Sequence, residues 1–379
     1  MKKLTIPEFS SQDKEELNKF RKEIDEIDNQ ILELLNKRIE IAEQIGKFKR
    51  KRGIEAYQPD REKEIYDRLC KNNKGLFPNK AIKAIYREIM SASRSWEEAL
   101  KIAYLGPEAT FTHQAALEKF GASCEFVSKK SISEVFDEVE AGRANYSVVP
   151  IENSSEGIVT HTLDMFSESE LKICSEIILK ISHNLLSNTQ LEGIKRVYYH
   201  PQSFAQSRVW LENNLPNIEY LEVSSTAEAA RRASLEKNSA AIASELAATI
   251  YNLNIVIKGI EAGKENYTRF LVIGREISAP TDNDKTSVLF SIKDRVGALQ
   301  DMLIPFAHHG INLTKIESRP SRKQPWEYIF FLDLEGHAKD ENVQQALTEL
   351  EDLCLHLKLL GSYPVSDKSD RSNSEEKYG

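Results

Sequence analysis

The 379-residue chain is predicted to be multidomain: an all-α segment first, an α/β segment in the middle and an α+β segment last. Three observations predict this. A single ordinary domain rarely exceeds about 250 residues, so a chain of this length implies two or three. Residues 12–97 repeat apolar positions at spacings of three and four, broken by a turn at Gly75-Leu76-Phe77-Pro78. From residue 101 onward, short runs of strand formers alternate with helical stretches, and the pattern changes after the polar linker APTDNDKT at 279–286.

The first helix follows from its apolar residues at 17, 20, 24, 27, 31, 34, 41, 45 and 48. A single helix over 13–51 is expected, about 58 Å long at 1.5 Å per residue. A lone apolar seam on so long a helix has to be buried against other helices, which favours an oligomer. The residue the seam skips is Arg38. Lys49 lies on nearly the same face, about 20° around the helix, whereas Arg21 is about 100° away and more easily reaches a partner's site. Cations in an apolar seam cost several kcal/mol, of order 3–5, unless an anion meets them. The anion is either a carboxylate of the chain, such as Glu62, or a dianionic ligand.

In the middle segment KIAYLG, SVVPIEN, VYYH, AAIAS and FLVIG read as strands and THQAALEKFG as a helix. Several strand ends run into polar groups: Glu152-Asn153-Ser154-Ser155, His200-Pro201-Gln202-Ser203 and Tyr267-Thr268-Arg269. Ligands of α/β sheets sit beyond such strand ends. Each group has a plainer reading: Ser154 and Ser155 as helix caps, His200 as a turn residue, Thr268 as a strand start beside a solvated Arg269. A GxSxG elbow is absent, so hydrolase chemistry has no support. Residues 286–364 then read strand, helix, strand, strand, helix, strand, the ferredoxin-like order. The polar end, 365–379, reads as a disordered tail.

Composition narrows the function. Lys and Arg number 51 against 59 acids, so a broad basic face for nucleic acid is not expected. Neither a secretory core nor an apolar run of about 18 residues is present, which points to a cytoplasmic, non-membrane protein. The four cysteines are far apart with no CxxC pair, as in a reducing compartment. HExxH, Walker and GxGxxG motifs are missing, so no metal or cofactor is expected.

Motifs make the reading specific. FRKEID, NKRIEIA, GKFK, PDRE and EIMSAS resemble the all-helical chorismate mutase family. That resemblance implies an intertwined dimer gripping chorismate with Arg21 (from the partner), Arg38, Gln58, Arg61, Glu62 and Ser93. It assigns Lys49 and Glu97 to catalysis at the ether oxygen. Position 58 is often acidic in the family. Some members carry Gln at position 97, so Glu97 must be protonated to donate there. The stretches AYLGPEATFTHQAA, SVVPIENSSEG, YYHPQSFAQ, STAEAA and NYTRFLVIG resemble prephenate dehydratase. This implies a cleft between two α/β lobes laid out like a periplasmic binding protein. Thr268 would donate to the departing hydroxyl and Arg269 would hold a substrate carboxylate, with Glu152, Asn153 and Gln202 positioning the ring. Finally, Gly297-Ala298-Leu299 and Glu317-Ser318-Arg319-Pro320 resemble a phenylalanine-sensing ACT domain.

The three together imply a bifunctional enzyme taking chorismate through prephenate to phenylpyruvate under phenylalanine feedback. Divisions are expected at 12–98, 101–278 and 286–364, in a homodimer or larger assembly. The competing reading is a regulatory protein that keeps cleft and sensor but has lost one or both activities.

Overall fold

The computed structural model describes residues 10–261, 265–292, 295–320 and 328–366. Three helices come first: α1 (Ser11–Arg50), α2 (Pro59–Asn72) and α3 (Asn79–Glu97). A capping box starts α1, since Ser10 Oγ accepts from Asp13 N at 3.1 Å while the Asp13 carboxylate accepts from Ser10 N at 3.0 Å. At 40 residues, α1 is about 60 Å long. It packs on α3 where Gly46 is pressed so close that a Cβ there would lie 2.9 Å from Glu97 Cα. That approach sets Lys49 opposite Glu97. Phe20, Ile24, Ile27, Ile31 and Leu34 remain exposed along α1, so the predicted seam is uncovered within one chain.

The α/β segment forms two lobes. The first contains β1 (Lys101–Leu105), α4 (Phe111–Phe120), β2 (Glu125–Lys129), α5 (Ile132–Glu140), β3 (Tyr146–Asn153), β4 (Gly157–Ile158), α6 (Thr160–Glu168) and β5 (Lys172–Ile181). The second contains β6 (Asn184–Ser187), β7 (Arg196–Tyr199), α7 (Pro201–Asn214), β8 (Glu219–Glu222), α8 (Thr226–Leu235), β9 (Ser239–Ala243), α9 (Glu245–Ile250) and β10 (Asn254–Ile257). The chain then returns as β11 (Asn266–Gly274) to the first lobe, between β3 and β5 and antiparallel to both. The sheet orders are β2-β1-β3-β11-β5, with β4 on β3, and β10-β6-β9-β7-β8. Fully buried Val148, Val149, Leu271 and Val272 make β3 and β11 the rigid centre of the first lobe. The two crossings between lobes are tied together. Ile260 N donates to His183 O at 2.8 Å, and Glu261 accepts from His183 N at 2.9 Å and Ser182 Oγ at 3.0 Å.

The last segment runs β12 (Asp284–Ile292), α10 (Ala298–His308), β13 (Leu313–Pro320), β14 (Tyr328–Glu335), α11 (Glu341–Leu353) and β15 (His356–Pro364), with antiparallel order β13-β14-β12-β15. The compositional linker therefore ends early, because Asp284, Lys285 and Thr286 already pair in β12. β15 lies against β5 at Gly361, where any Cβ would collide with the Ile173 carbonyl. The expected tail also starts later. Val365 N donates to Asn283 O at 3.0 Å and Ser366 N to Glu176 Oε1 at 3.1 Å, while 367–379 lie outside the described residues.

Candidate active sites

The first cluster forms where α1 and α3 converge beside the turn into α2. Arg38 donates to Ser93 Oγ and, at 3.4 Å, to Ile89 O. Burial pulls its guanidinium below the usual arginine range, countered by Tyr86 and Glu97. Lys49 Nζ lies 3.0 Å from Ala56 O and 3.2 Å from Glu97 Oε2. The same-face placement of Arg38 and Lys49 thus holds, and both turn toward α3. The carboxylate offered as an alternative partner for Arg38 is engaged elsewhere. Glu62 pairs with Arg94, whose Nη2 donates to Phe120 O at 2.8 Å and so stitches the helices to the α/β segment. Arg61 is exposed and paired with Glu64 at 2.5 Å, so it does not join the cluster in this arrangement. Gln58 occupies the N-cap position of α2 without capping it, and Arg21 is exposed on α1. Glu97 accepts from Lys49, so the group expected to be a protonated donor is an acceptor here.

The second cluster is on β3 and β11, where Thr268 lies opposite Asn153 and Arg269 opposite Glu152. Successive side chains of a strand point to opposite faces. On the front face, Asn153 Nδ2 donates to Thr268 Oγ1 and to Asn266 Oδ1, both at 2.8 Å. Asn153 Oδ1 is fixed by Ser155 N at 2.9 Å and Glu156 N at 3.2 Å. Asn266 Nδ2 donates at 3.0 Å to Gln206 Oε1 on α7, bridging the lobes. Thr268 Oγ1 is therefore an acceptor from Asn153, and no described group accepts its proton.

The back face corrects two expectations. Arg269, expected to hold a substrate carboxylate, points away from Thr268. It donates to Glu176 at 2.8 Å, Asp333 at 2.6 Å and Tyr363 Oη at 2.9 Å. Burial alone would lower its pKa, but Asp333, Tyr363 and Glu176 drive it well above the usual arginine value. Glu152 also turns to this side. Lys315 Nζ on β13 reaches it at 2.7 Å as an ion pair, although not in hydrogen-bond geometry. The reason is the strand alternation: with Thr268 and Asn153 facing forward, their neighbours must face back.

The expected sensor residues lie on two elements. Gly297 has φ +79° and precedes α10, which begins with Ala298; Leu299 is 40% exposed. Along β13, Glu317 and Arg319 are half-buried while Ser318 and Pro320 are exposed. Arg319 donates to Thr160 O at 2.5 Å and pairs with Asp164 at 3.1 Å, reaching α6 of the dehydratase-like segment.

Comparison with known proteins gives these clusters their context. Residues 20–98 match the family "Chorismate mutase type II", 102–278 "Prephenate dehydratase" and 286–352 "ACT domain". The chain is 51% identical over 355 residues to the "Bifunctional chorismate mutase/prephenate dehydratase" of Aquifex aeolicus, covering 92% of this chain and 98% of that protein. It belongs to the bifunctional chorismate mutase/prephenate dehydratase family.

The family's counterpart in Pseudomonas aeruginosa is 43% identical over 359 residues, 93% of this chain and 98% of its own. Among solved structures, "Prephenate dehydratase in complex with L-Phe" from Arthrobacter aurescens is 36% identical with TM-score 0.65, covering 71% of this chain and 91% of that one. The chain accordingly carries both activities, rearranging chorismate to prephenate and then decarboxylating and dehydrating prephenate to phenylpyruvate. No described helix is long and apolar enough to cross a membrane.

Sequence reasoning missed three members of the front-face cluster. Asn266 is two residues before Thr268 on the same strand, and that spacing alone places it on the same face. Gln206 joins the amide chain, whereas the expected Gln202 lies one turn earlier on α7. Their i, i+4 relation was a legible signal. His183, whose Nε2 lies 3.0 Å from Gln206 Oε1, comes from a crossing between lobes and had no local signal.

Proposed function

We propose that the dehydratase step runs at the front face of β3 and β11, with Thr268 as the donor to the departing hydroxyl. One observation carries this: Asn153 donates to Thr268 Oγ1, which leaves the hydroxyl proton to point outward. Hydroxide is a poor leaving group, so a placed donor is the main requirement as the carbon–oxygen bond breaks and carbon dioxide departs. As that proton shifts toward the leaving oxygen, negative charge builds on Oγ1. The Asn153 N–H aimed at Oγ1 stabilises that charge, so the threonine does not act as an acid alone. Gln202, on the first turn of α7, is assigned a weaker contact to the ring.

In the mutase, we assign Arg38 to a chorismate carboxylate, Lys49 to the ether oxygen, and Ser93 and Gln58 to the rest of the ligand, with Arg61 joining them on leaving Glu64 and Glu62 acting through its pair with Arg94. The reaction has no nucleophile, so holding the compact conformer and neutralising charge on that oxygen suffices. We assign Glu97, which meets Lys49 at 3.2 Å, to the ether oxygen beside Lys49. Glu97→Ala should lower mutase kcat while dehydratase kcat keeps its wild-type value, and an unchanged mutase kcat sinks this role.

The uncovered stripe on α1, with Arg21 on the same helix, fits an intertwined dimer in which Arg21 enters the partner's site. We divide the chain at 12–98, 101–278 and 286–364, read the middle part as two lobes of periplasmic-binding-protein type, and the last as a ferredoxin-like ACT module. Phenylalanine held by Gly297–Leu299 and Glu317–Pro320 would inhibit the dehydratase in the cytoplasm, since β13 grips lobe one through Lys315 and Arg319. The test feeds chorismate to the purified chain and follows both products with and without phenylalanine. Prephenate then phenylpyruvate is expected, the second slowed by phenylalanine. Prephenate that accumulates unconverted would instead favour a protein whose dehydratase cleft has become a regulatory pocket.

A further inference from the structure

The reading above leaves His183 unused. It lies at the first crossing between lobes, 3% exposed, with its backbone held by Ile260 and Glu261. Its Nε2 faces Gln206 Oε1 at 3.0 Å, and that same oxygen accepts from Asn266 Nδ2 at 3.0 Å.

The directions along this chain are forced. Backbone N–H groups of Ser155 and Glu156 fix Asn153 Oδ1, so Asn153 presents its NH2 to Asn266 and Thr268. Asn266 must then show its oxygen to Asn153 and its NH2 to Gln206. Gln206 must show its oxygen to both Asn266 and His183. His183 can meet that oxygen only as a donor, with the proton on Nε2. Burial lowers its pKa, with the Gln206 hydrogen bond opposing, and Nδ1 meets no partner among the described residues.

We propose that His183 is a positioning residue for the dehydratase reaction: its neutral Nε2–H tautomer pins Gln206, and through Asn266 and Asn153 keeps the Thr268 proton aimed into the cleft. Among the described residues, the Gln206 oxygen is held by His183 and Asn266 alone, so without the imidazole only Asn266 opposes a flip of the Gln206 amide. A flip would set its NH2 against the NH2 of Asn266, and because Ser155 and Glu156 hold the Asn153 oxygen in place, the mismatch is relieved only by displacing Asn266 or the Asn153 amide that donates to Thr268. Because the imidazole stands where the chain passes between lobes, one side chain links the crossing to the reacting hydroxyl. The inference rests on the assignment of Thr268.

The test uses full-length His183→Leu and His183→Gln, whose amide N–H falls near the Nε2 position. His183→Leu should lower dehydratase kcat about tenfold, the worth of one hydrogen bond, with prephenate KM within about twofold and mutase kcat unchanged. His183→Gln should recover most of that loss. Nitrogen-15 spectra of the wild-type imidazole should show Nε2 protonated and Nδ1 bare at neutral pH, a readout that does not depend on a variant folding. Wild-type kcat in His183→Leu, a His183→Gln as slow as His183→Leu, or a proton on Nδ1 would each overturn the proposal. If Thr268→Ala is slow while His183→Leu is fast, this inference alone fails; a fast Thr268→Ala removes the assignment beneath it.

Discussion

Asn153–Thr268 and Glu152–Arg269 are consecutive rungs of one antiparallel ladder, yet they have opposite chemistry. The front rung is neutral: amides and a hydroxyl in a directional chain that ends on an open proton. The back rung is ionic. Arg269, Glu176, Lys285 and Asp333 are packed between the first lobe and the regulatory module, with Tyr363 and Ser287 completing the hydrogen bonds. Fixed dipoles suit a face that must stabilise developing charge, because they need not reorganise when the bond breaks. Dense paired charge suits a joint, because it is stable only with every partner in place. On the proposed assignment of Thr268, the same two strands carry a reacting surface on one side and a coupling surface on the other.

The sharpest way to break this contrast is at Arg269. Arg269→Met leaves Glu176 and Asp333 buried without their shared cation, and losing one partner of a buried pair costs about 3–5 kcal/mol. Thermal or denaturant unfolding of the dehydratase and regulatory parts should register that loss. If Arg269 instead gripped prephenate, the variant would keep its stability and show only a raised KM.

Next in size is the front rung. Thr268→Ala should lower dehydratase kcat by about 10²–10³, the scale of one well-placed charge-stabilising donor, while the mutase in the same chain keeps its rate. Thr268→Ser keeps the hydroxyl and should stay close to wild type. Near-wild-type turnover in the alanine variant would remove Thr268 from the chemistry.

How much of this could be read from residues alone follows from the range of each signal. Strand alternation is local, and NYTRFLVIG already required Thr268 and Arg269 to face opposite ways. Treating the pair as one substrate grip overlooked a rule that needs no structure. The length of α1 and the Arg38–Lys49 face were local too, and both stand in the fold. By contrast, the partners of Arg269 come from positions 176, 333 and 363, brought together by the packing of β15 on β5. Nothing within a few residues of Arg269 announces them. The same holds for Arg94, which takes Glu62 and reaches Phe120 across a segment boundary.

Acid separates the rungs further, since only the back one titrates. Burial pushes the Glu176 carboxyl up, but Arg269 and Lys285 outweigh it and hold it below the ordinary 4.5. A folded value below the unfolded one means that the contribution is complete above 4.5 and is lost as pH falls through the folded value. Melting temperatures from about pH 6 down to about pH 3.5 should therefore fall more steeply for wild type than for Glu176→Gln, which has no carboxyl to protonate. Parallel curves would show that Glu176 is not a source of the acid sensitivity.

The smallest effect on stability, and the most specific test of coupling, is at Lys315. Its pair with Glu152 spans 2.7 Å, but the Glu152 side chain is 40% exposed. Truncating the lysine leaves a carboxylate that water can reach, and partly exposed pairs are worth about 0–1 kcal/mol. Lys315→Ala should barely move the melting temperature. Yet Glu152 is bonded in sequence to Asn153, which holds Thr268. A grip by β13 on Glu152 is thus one peptide bond and one hydrogen bond from the hydroxyl proposed to react. Phenylalanine should inhibit the variant less than wild type at equal uninhibited rates. Had Glu152 been a prephenate ligand, Glu152→Gln would raise KM and leave the response to phenylalanine intact. Unchanged inhibition in both variants would move the coupling to Arg319 and α6, the other place where β13 holds the first lobe.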